Sequence, residues 1–499
     1  MSSTTPLLIF LLLSGKLLAQ VQQEDSVKTY QLNDIVVTAS RLEEDLGKSP
    51  VSIEKISAKT FYQSASPSFF DALENVRGVQ MLVPSLGFKV INTRGFGNTT
   101  NVRFVQMVDG MDNQAPHLGT PIANMLGPSD LDIKSVEVIP GTASALYGMN
   151  AINGLANFIT KDPVSSPGLS AQQKTGFNRI NQGEARLFSE TSLRWAHRVS
   201  NKLAFKINGT FVTGSDWIAD DRNDLNANAN VSTGLTGQDN PAFDPLNSYG
   251  NESPNRRTLS LDGKDYVVAR TGYYEKEVID YGIRNFKADA AVQYSISGEK
   301  KLIYTYRFAN LDNIYQRANR FRLEDYLLQQ HGAAYKSKTF QALAYLNIEN
   351  TGKSYNARSM AENIDRHYKS DDQWFSEYAA GFNSAIGMGM PVPDAHRYAR
   401  QRSDEGRPVR GSGEFNTLIK TLGDINNWDV GAALRVKAKM LHAESQWNLS
   451  ESVLKMLKIR TGIDLLVGLD HRTYIITPDG NYFINPESEG ENLTFSKTG

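Results

Sequence analysis

Apolar and polar residues alternate with a period of two in several segments after Pro167. Side chains of a β-strand point alternately to the two sides of a sheet, so each segment predicts a strand with one apolar and one polar face. In Lys202–Val212 the apolar face carries Leu203, Phe205, Ile207 and Phe211, and the polar face carries Lys206, Asn208 and Thr210. The other segments of this kind are Phe286–Ile296, Lys301–Phe308 and Ile459–Leu469.

The connections between these segments fall into two classes of length. Short turns are predicted at Val199–Lys202, Ser297–Lys300 and Leu449–Ser452, and long polar loops at Gly214–Arg284, Asn310–Lys338 and Asn350–Trp428. Short turns at one rim and long loops at the other are typical of outer-membrane barrels, whose strands are apolar outside and polar inside. A soluble β-sandwich also alternates, but it rarely carries long loops without structure of their own. The pattern therefore favours a barrel over a sandwich.

The region before Pro163 has a different, glycine-punctuated pattern. Phe61–Val76 predicts a helix with Phe69, Leu73 and Val76 on one face, and Val102–Asp109 and Ser135–Ile139 predict short strands. Tight glycine turns, such as Asp109-Gly110 and Pro140-Gly141, separate the elements. We therefore expect a small α+β domain at residues 46–163, ahead of a β-barrel region at residues 164–499.

The first residues resemble a secretory signal peptide. Pro6–Leu13 is an apolar core too short to span a bilayer, and Ala19-Gln20 is a plausible cleavage point. We therefore predict a signal peptide at residues 1–19 and a leader at residues 20–45; the alternative is a buried N-terminal strand. No later apolar run is long enough for a membrane helix, so a membrane location would require a closed barrel.

Composition excludes several classes of function. The 53 basic residues are balanced by 54 acidic ones, which gives no support to nucleic-acid binding. Without cysteine, thiolate metal sites, iron–sulfur clusters and cysteine nucleophiles are impossible. The seven histidines form no pair at metal-binding spacing, and Gly352-Lys353-Ser354 lacks the earlier glycine of a phosphate loop. We expect no enzyme, no metal site and no cofactor.

Near the predicted mature N-terminus lies a short β-prone segment with a charged start: Asp34, Ile35, Val36, Val37, Thr38 and Ala39. Such a segment can add as a strand to the open edge of another protein's sheet, with main-chain hydrogen bonds providing the affinity. The alternative is an ordinary first strand of the domain that follows.

Together with later blocks, this hexapeptide resembles TonB-dependent receptors of the Bacteroidetes kind, in which it matches the TonB box. The blocks are Thr93-Arg94-Gly95-Phe96, Val108-Asp109-Gly110-Met111, Ser135 to Gly148 and Asn153 to Lys161. They resemble the plug-domain blocks of that family, in the same order. The resemblance implies an α+β plug domain followed by a transmembrane antiparallel β-barrel in the outer membrane of a Gram-negative bacterium.

The resemblance implies energy-coupled import in place of catalysis. The TonB complex would pair with the TonB box, outer-membrane lipid would surround the barrel, and a small extracellular ligand would bind the plug apex and outer loops. Family plugs are locked to barrel glutamates through arginines, so Arg94 and Glu137 are the lock candidates here. The alternative for Arg94 is a solvated turn residue. Pro140 stands where a second plug arginine is often found.

The ligand is not identified by the sequence. The apical segment is expected at Met111–Leu126, with Asn113, His117, Asn124 and Met125 as candidate contacts, although a solvated loop histidine is an alternative for His117. The short leader favours a ferric siderophore or similar chelate over an oligosaccharide importer of the starch-utilisation type. A passive surface receptor or adhesin is a further alternative. Family barrels have 22 strands, so we expect an incomplete barrel in 499 residues.

Overall fold

The structure is a computed structural model of the 499-residue chain. It describes residues 52–148, 150–181, 184–316, 319–450 and 465–478, together with the strand residues 35–36, 44–45 and 495–498. The chain divides into two compact units, Met1–Pro50 and Val51–Gly499. The predicted signal peptide lies outside the described residues. In the first unit, β1 (Ile35–Val36) pairs antiparallel with β2 (Glu44–Asp45).

An α+β domain opens the second unit, and we call residues 52–160 the N-terminal domain. Its central sheet has the strand order β3-β10-β11-β6-β7, with β6 and β11 parallel. The strands are β3 (Glu54–Ser57), β4 (Val79–Ser85), β5 (Phe88–Thr93), β6 (Phe104–Val108), β7 (Met111–Asp112), β8 (Gln114–Ala115), β9 (Thr120–Pro121), β10 (Ile133–Ile139) and β11 (Gly154–Thr160), and the helices are α1 (Ala58–Tyr62), α2 (Phe69–Ala72) and α3 (Ser144–Tyr147).

The predicted helix Phe61–Val76 is wrong as one continuous element. Helix α1 ends at Tyr62, and a serine-rich stretch containing Pro67 separates it from α2. Ser68 caps α2 by accepting a hydrogen bond from the Asp71 amide, as short hydroxyl side chains commonly do at helix starts. The apolar face was predicted correctly, because Phe69, Leu73 and Val76 are all buried in the domain core.

A large antiparallel sheet, which we call the wall, follows the N-terminal domain. Its strand order is β12-β13-β14-β19-β20-β21-β22-β24-β25-β26, with β23 paired to β21, and it does not close within the described residues. The strands are β12 (Gly168–Arg179), β13 (Ala185–Arg198), β14 (Leu203–Ser215), β19 (Gly282–Ser297), β20 (Lys300–Gln316), β21 (Arg320–Lys336), β22 (Phe340–Asn350), β23 (Tyr355–Asn356), β24 (Val436–Asn448), β25 (Leu466–Pro478) and β26 (Phe495–Thr498).

Burial along the wall is inverted relative to a soluble protein. On β14, Lys206, Asn208 and Thr210 are buried, whereas Ile207 and Phe211 are 49% and 44% exposed. The predicted arrangement, apolar outside and polar inside, is therefore confirmed, and polar side chains meet the N-terminal domain. In the described parts of the chain, no helix is long and apolar enough to cross a membrane.

Two of the predicted loops are not plain loops. Asn310–Lys338 was predicted as a loop, but β20 continues to Gln316 and β21 covers Arg320–Lys336. Its polar residues lie on the inward face: Asn313, Arg322 and Gln330 are buried. Asn350–Trp428 contains four helices, namely α5 (Ala357–Tyr368), α6 (Asp371–Gly387), α7 (Val392–Ser403) and α8 (Gly413–Asp424).

The third predicted loop, Gly214–Arg284, also has structure of its own. It contains β15 (Ser248–Tyr249), the hairpin β16 (Arg256–Leu261) and β17 (Lys264–Ala269), β18 (Tyr273–Tyr274) and the one-turn helix α4 (Glu275–Val278). We call residues 216–281 and 351–435 the cap. The rim of the wall that carries the cap is called the loop end, and the opposite rim is called the turn end. The predicted turns Val199–Lys202 and Ser297–Lys300 lie at the turn end.

The last predicted strand, Ile459–Leu469, is displaced. Strand β25 begins at Leu466 and continues to Pro478, and residues 459–464 lie outside the described residues. The predicted turn Leu449–Ser452 is described only as far as Ser450. Strands β24 and β25 pair antiparallel over their whole length.

Candidate functional site between the N-terminal domain and the wall

Asp132 joins the N-terminal domain to two strands of the wall. Its Oδ1 accepts a hydrogen bond from Arg194 Nε at 2.7 Å, and its Oδ2 accepts one from Lys206 Nζ at 2.6 Å. All three side chains are buried. Lys206 also donates to Thr160 Oγ1 and to the carbonyl of Lys161. One carboxylate therefore compensates two buried cations, which would be costly to leave unpaired.

Asp109 forms a second ionic contact with the wall. It lies in the predicted turn before Gly110 with a φ of 54°, and its Oδ2 accepts from Arg307 Nη2 at 2.9 Å. Burial alone would raise the pKa of Asp109, but Arg307 and Lys206 lower it, so the pKa is below its usual value. The carboxylate is therefore the stable form at neutral pH.

Two wall lysines hold residues at the end of the predicted apex and just after it. Lys287 Nζ donates to the carbonyls of Asn124, Gly127 and Pro128 at 3.1 to 3.3 Å. Lys174 lies between Asp130 at 2.5 Å and the wall residue Glu190 at 2.9 Å. Cations of the wall thus meet acids and carbonyl oxygens of the N-terminal domain in each contact described so far.

On β21 and β22, side-chain amides of the wall bind main-chain carbonyls of the N-terminal domain. Gln330 and Asn347 both donate to the carbonyl of Asp112, at 2.8 and 2.9 Å. The Asp112 carboxylate lies 3.4 Å from Arg472. These contacts fix strand β7 against β21, β22 and β25.

The tip of the β4–β5 hairpin reaches the loop end of the wall. Ser85 Oγ donates to the carbonyl of Ile314 at 2.8 Å, and the Leu86 amide donates to Asp216 Oδ1 at 3.0 Å. Gly87 lies so close to the side chain of Asn313 that a β-carbon there would overlap it. This tip is a second apical element that sequence reasoning missed.

Arg94 and Glu137, the predicted lock residues, lie in different surroundings. Arg94 is exposed, with a φ of 52°, and its guanidinium lies over Gly141. In the part of the chain that the structure describes, Arg94 forms no ion pair. Glu137 is buried in β10, opposite Lys55 and Asn157 in the sheet. A lock through Arg94 and Glu137 stays a prediction, and the ion pairs described above use other residues.

The predicted apical residues are mostly packed against the wall. His117 donates its amide to Glu349 at 2.7 Å, and its Nδ1 lies 2.9 Å from the same carboxylate, which also accepts from Tyr326. Met125 packs against an apolar cluster shared by the domain and the wall. Asn113 is buried, and neither its side-chain oxygen nor its side-chain nitrogen has a hydrogen-bond partner among the described residues. The buried Oδ1 atom of Asn124 also lacks a partner there. Ligand contact by these four residues remains a prediction.

Of the predicted TonB box, Ile35 and Val36 form β1, while Asp34, Val37, Thr38 and Ala39 lie outside the described residues. Among the described strands β1 pairs only with β2. Its partnership with another protein stays a prediction.

Three metal-ligating side chains meet on the inner face of β24 and β25. Ligand atoms of His442, Glu444 and Asp470 all lie within 4.8 Å of one another. Arg472 Nε, however, donates to His442 Nδ1 at 3.2 Å, so neutral His442 carries its proton on Nε2, the atom that faces the two carboxylates. A protonated Nε2 cannot ligate a metal, and hydrogen bonding explains the cluster.

Comparisons with known proteins identify the domain. Residues 45–155 match the family model described as the TonB-dependent Receptor Plug Domain. This part of the chain is therefore a plug domain of the kind found in TonB-dependent receptors, a Gram-negative outer-membrane family. The matched residues lie in the N-terminal domain, which is called the plug from here on, and the wall is a large antiparallel sheet that does not close within the described residues. The Bacteroidetes origin remains a prediction.

Similar proteins fall into two groups. A vitamin B12 transporter of Vibrio vulnificus is 35% identical over 143 residues, covering 28% of this chain and 22% of that protein. Its counterpart from Photobacterium profundum is 28% identical over 145 residues, covering 29% and 23%. These relatives are transporters, in agreement with the prediction that the chain is no enzyme.

Among solved structures, a ferric enterobactin receptor of Pseudomonas aeruginosa has a TM-score of 0.48 at 15% identity, covering 93% of this chain and 55% of that one. A siderophore receptor from the same organism has a TM-score of 0.43 at 12% identity, covering 89% and 52%. The chain spans about half the length of these structures and matches less than a quarter of each curated relative.

Proposed function

We propose that the protein imports a scarce small ligand across the outer membrane, with TonB supplying the force. The observation that carries the proposal is a family-matched plug seated on the polar inner face of an inverted sheet. The plug is held by separate side-chain contacts such as Asp132 with Lys206 and Asp109 with Arg307. Separate contacts of this kind can be broken one after another by a pulling force, unlike a continuous strand ladder.

TonB would act on the segment Asp34–Ala39 by strand addition. In the structure one edge of β1 is paired with β2, and the pair is only two residues long. So short a ladder is a weak competitor for an incoming strand, because each partner contributes few main-chain hydrogen bonds. This supports the TonB box as the point of attachment.

For the ligand we propose a ferric siderophore or similar chelate, with an oligosaccharide as the alternative. Vitamin B12 is the substrate named for two relatives, but each aligns with less than a third of this chain. The cap and the plug apex would provide the ligand contacts. At that apex, the side-chain amide of Asn113 and the Oδ1 atom of Asn124 have no hydrogen-bond partner among the described residues.

The test is deletion of Asp34–Ala39 in the protein in its native outer membrane. With ferric tris-catecholate and tris-hydroxamate chelates as probes, we expect binding to persist and uptake to be lost. A matched control deletes six leader residues, Val21–Ser26, and should keep uptake. Unchanged uptake without the box would refute TonB coupling. Uptake that persists after a protonophore collapses the proton gradient would instead indicate a passive receptor.

A further inference from the structure

The outward face of β24 changes character along its length. From the loop end to the turn end it carries Lys437, Lys439, Leu441, Ala443, Ser445 and Trp447. The two lysines are exposed, and they precede an apolar stretch that ends in an aromatic residue. Trp447 contacts Phe340 of β22, with ring centroids 4.6 Å apart.

These lysines differ from other charged residues near the loop end. Arg284 is paired with Asp312 at 2.8 Å, and Lys353 is paired with Asp325 at 2.7 Å. Within the residues that the structure describes, neither Lys437 nor Lys439 forms an ion pair. In the sheet, Lys439 lies between Ile348 and Ile475, so its ammonium group projects from an apolar row. Lysine can extend its flexible stem along such a row and place the charge at a polar boundary.

A groove with a volume of about 930 Å³ lies below the lysines. Its floor includes a register row of small outward residues, Ala333, Ala344 and Ala443, with Tyr304 at one end and His471 at the other. Most lining residues belong to two neighbouring outward rows, the alanine row and the next row toward the turn end. The remaining lining residues come from the single inward row between these two. The groove therefore opens on the outer face of the wall.

Two of the polar side chains that line the groove, Tyr304 and His471, have hydrogen-bond partners. The Tyr304 hydroxyl lies 2.9 Å from His331 Nδ1, and His471 Nε2 lies 3.1 Å from Thr473 Oγ1. The remaining lining is dominated by alanine, leucine and tyrosine side chains. An apolar occupant therefore fits the groove better than a polar one, which would need free hydrogen-bonding groups.

The spacing of these features matches a membrane lipid. At about 3.4 Å per residue, Lys439 and Ala443 are roughly 14 Å apart along the strand. Lys437 and Trp447 are roughly 34 Å apart along it, or about 24 Å along the membrane normal at a tilt near 45°, close to the height of an outer-membrane barrel's apolar band. The lysines then lie at one interface and Trp447 at the other.

We propose that this face binds one anionic, phosphate-bearing membrane lipid. Its phosphate contacts Lys437 and Lys439, and an acyl chain runs past Leu441 into the groove over Ala344 and Ala443. The inference rests on the proposed function, because it requires the wall to lie in the outer membrane with the cap outside. Charge complementarity selects an anionic headgroup, and continuity with the lipid-exposed face selects an acyl chain as the occupant.

The test uses protein extracted from native outer membranes in mild detergent, with retained lipid measured by native mass spectrometry. Dioleoylphosphatidylglycerol is the probe, and zwitterionic dioleoylphosphatidylcholine is the comparator. We expect Lys437→Gln with Lys439→Gln to reduce phosphatidylglycerol retention by roughly tenfold or more, since each lysine contributes to anionic-lipid binding. Ala344→Phe with Ala443→Phe should reduce retention of the same lipid while leaving both lysines in place.

Matched controls separate this site from general effects. Lys264→Gln with Lys420→Gln removes two exposed cap lysines, and Ala290→Phe enlarges an outward alanine of β19 that does not line the groove. Both should retain lipid as the unchanged protein does. Equal retention in the lysine variant or in the groove variant would overturn the two-part site. Equal lipid retention together with intact uptake would contradict only the lipid site and not the proposed import function. Absence of the protein from outer membranes would refute the import function itself.

Discussion

Among the side chains that join plug and wall, carboxylates of the plug recur at the best-buried contacts. Asp132 serves Arg194 and Lys206 together, and Asp109 serves Arg307. The wall supplies the cations, so the sign of the observed contacts is opposite to the plug arginine and barrel glutamate expected from the family. Removing a plug acid that neutralises two buried wall cations should therefore lower the free energy of unfolding more than removing an acid with a single exposed partner.

We predict that Asp132→Asn lowers the free energy of unfolding by about 3–5 kcal/mol, because it leaves two buried cations without a counter-charge. Denaturant unfolding of the protein in detergent measures the change. The control is Asp372→Asn, which removes an acid that is 88% exposed and paired with Arg257, and should cost about 1 kcal/mol or less. Equal losses in the two variants would contradict the role given to Asp132.

Individual contacts of this kind could not be predicted from the sequence. Asp132 is 62 and 74 residues away from its two partners, and the pairing depends on the register of β13 and β14 against the plug. The sequence did place Lys206 on the polar face of a strand, which is where the structure has it. Arg94 was chosen because it matches a plug arginine of the family that the sequence resembles, and that match does not reveal which residue it contacts.

At the scale of elements, the β4–β5 hairpin is fitted into the loop end of the wall. Its tip contacts Asp216, the cap residue that directly follows β14, and the end of β20 through Asn313 and Ile314. Asn313 is fully buried, so its side chain has little room to move away.

Gly87→Ala should therefore destabilise the protein by about 1–3 kcal/mol through overpacking against Asn313. Adding Asn313→Ala should recover part of the loss, because the overlapping amide is removed. A double-mutant cycle on unfolding free energies gives the coupling. Gly97→Ala is the control, since the nearest atom to a β-carbon there is Leu82 Cδ1 at 3.7 Å. Additive effects of the two substitutions would argue against a close fit.

The cap is a second element with a testable property. Asp365 of α5 is buried, and its Oδ1 accepts from Arg407 Nε at 2.9 Å. Burial raises the pKa of Asp365 to about 7, although Arg407 and Arg270 oppose the shift. The folded cap thus binds a proton more tightly than the unfolded chain, whose aspartate pKa is near 3.9.

The cap should accordingly lose stability as pH rises from about 4 to about 7, because the unfolded chain releases this proton first. Asp365→Asn should flatten that dependence. Fluorescence of Trp374, which is buried in the cap, can follow urea unfolding at pH 5 and pH 8. Asp429→Asn, an exposed cap residue, serves as the control and should leave the pH dependence unchanged. A variant at Asp365 with the slope of the unchanged protein would contradict this assignment.

The helices of the cap were missed although part of their signal was present. In α6 the buried residues Trp374, Tyr378, Phe382 and Ala385 recur at helical spacing, and Ser370 caps the helix by accepting from the Gln373 amide. The long polar segment between predicted strands was predicted as a loop, although it contains apolar residues at this helical spacing. Strand β21 was missed for another reason, because its inward polar residues are buried only by contact with a plug that the local sequence does not reveal.

At the scale of the whole molecule, the wall is a single layer of strands with two different faces. One face packs against the plug, and the other is exposed. Lys206 and Ile207 are neighbours, yet the first is 4% exposed against the plug and the second faces outward at 49%. The alternation and the ordered plug blocks were sufficient to predict this architecture. The number of strands and the shape of the cap required the structure.

Ile207→Lys should impair insertion into the outer membrane, because a lysine near the middle of the lipid-facing band costs about 2–4 kcal/mol. The amount of folded protein in outer-membrane fractions, measured by heat-modifiable migration, gives the readout. Thr213→Lys, outward on the same strand but near its loop end, should be tolerated at a cost of about 0–1 kcal/mol. Similar insertion of both variants would contradict the proposed lipid-facing side.

The placement of acids on the plug and cations on the wall has a consequence for modular engineering. A plug moved into a barrel that lacks cations at these positions would leave Asp132 and Asp109 without partners in a buried interface, and an unpaired buried charge is costly. Grafts between transporters would therefore need to carry Arg194, Lys206 and Arg307 along with the plug. Whether plug and barrel carry opposite charges at these few positions, more than their overall sequence similarity, would decide which plugs and barrels can be exchanged.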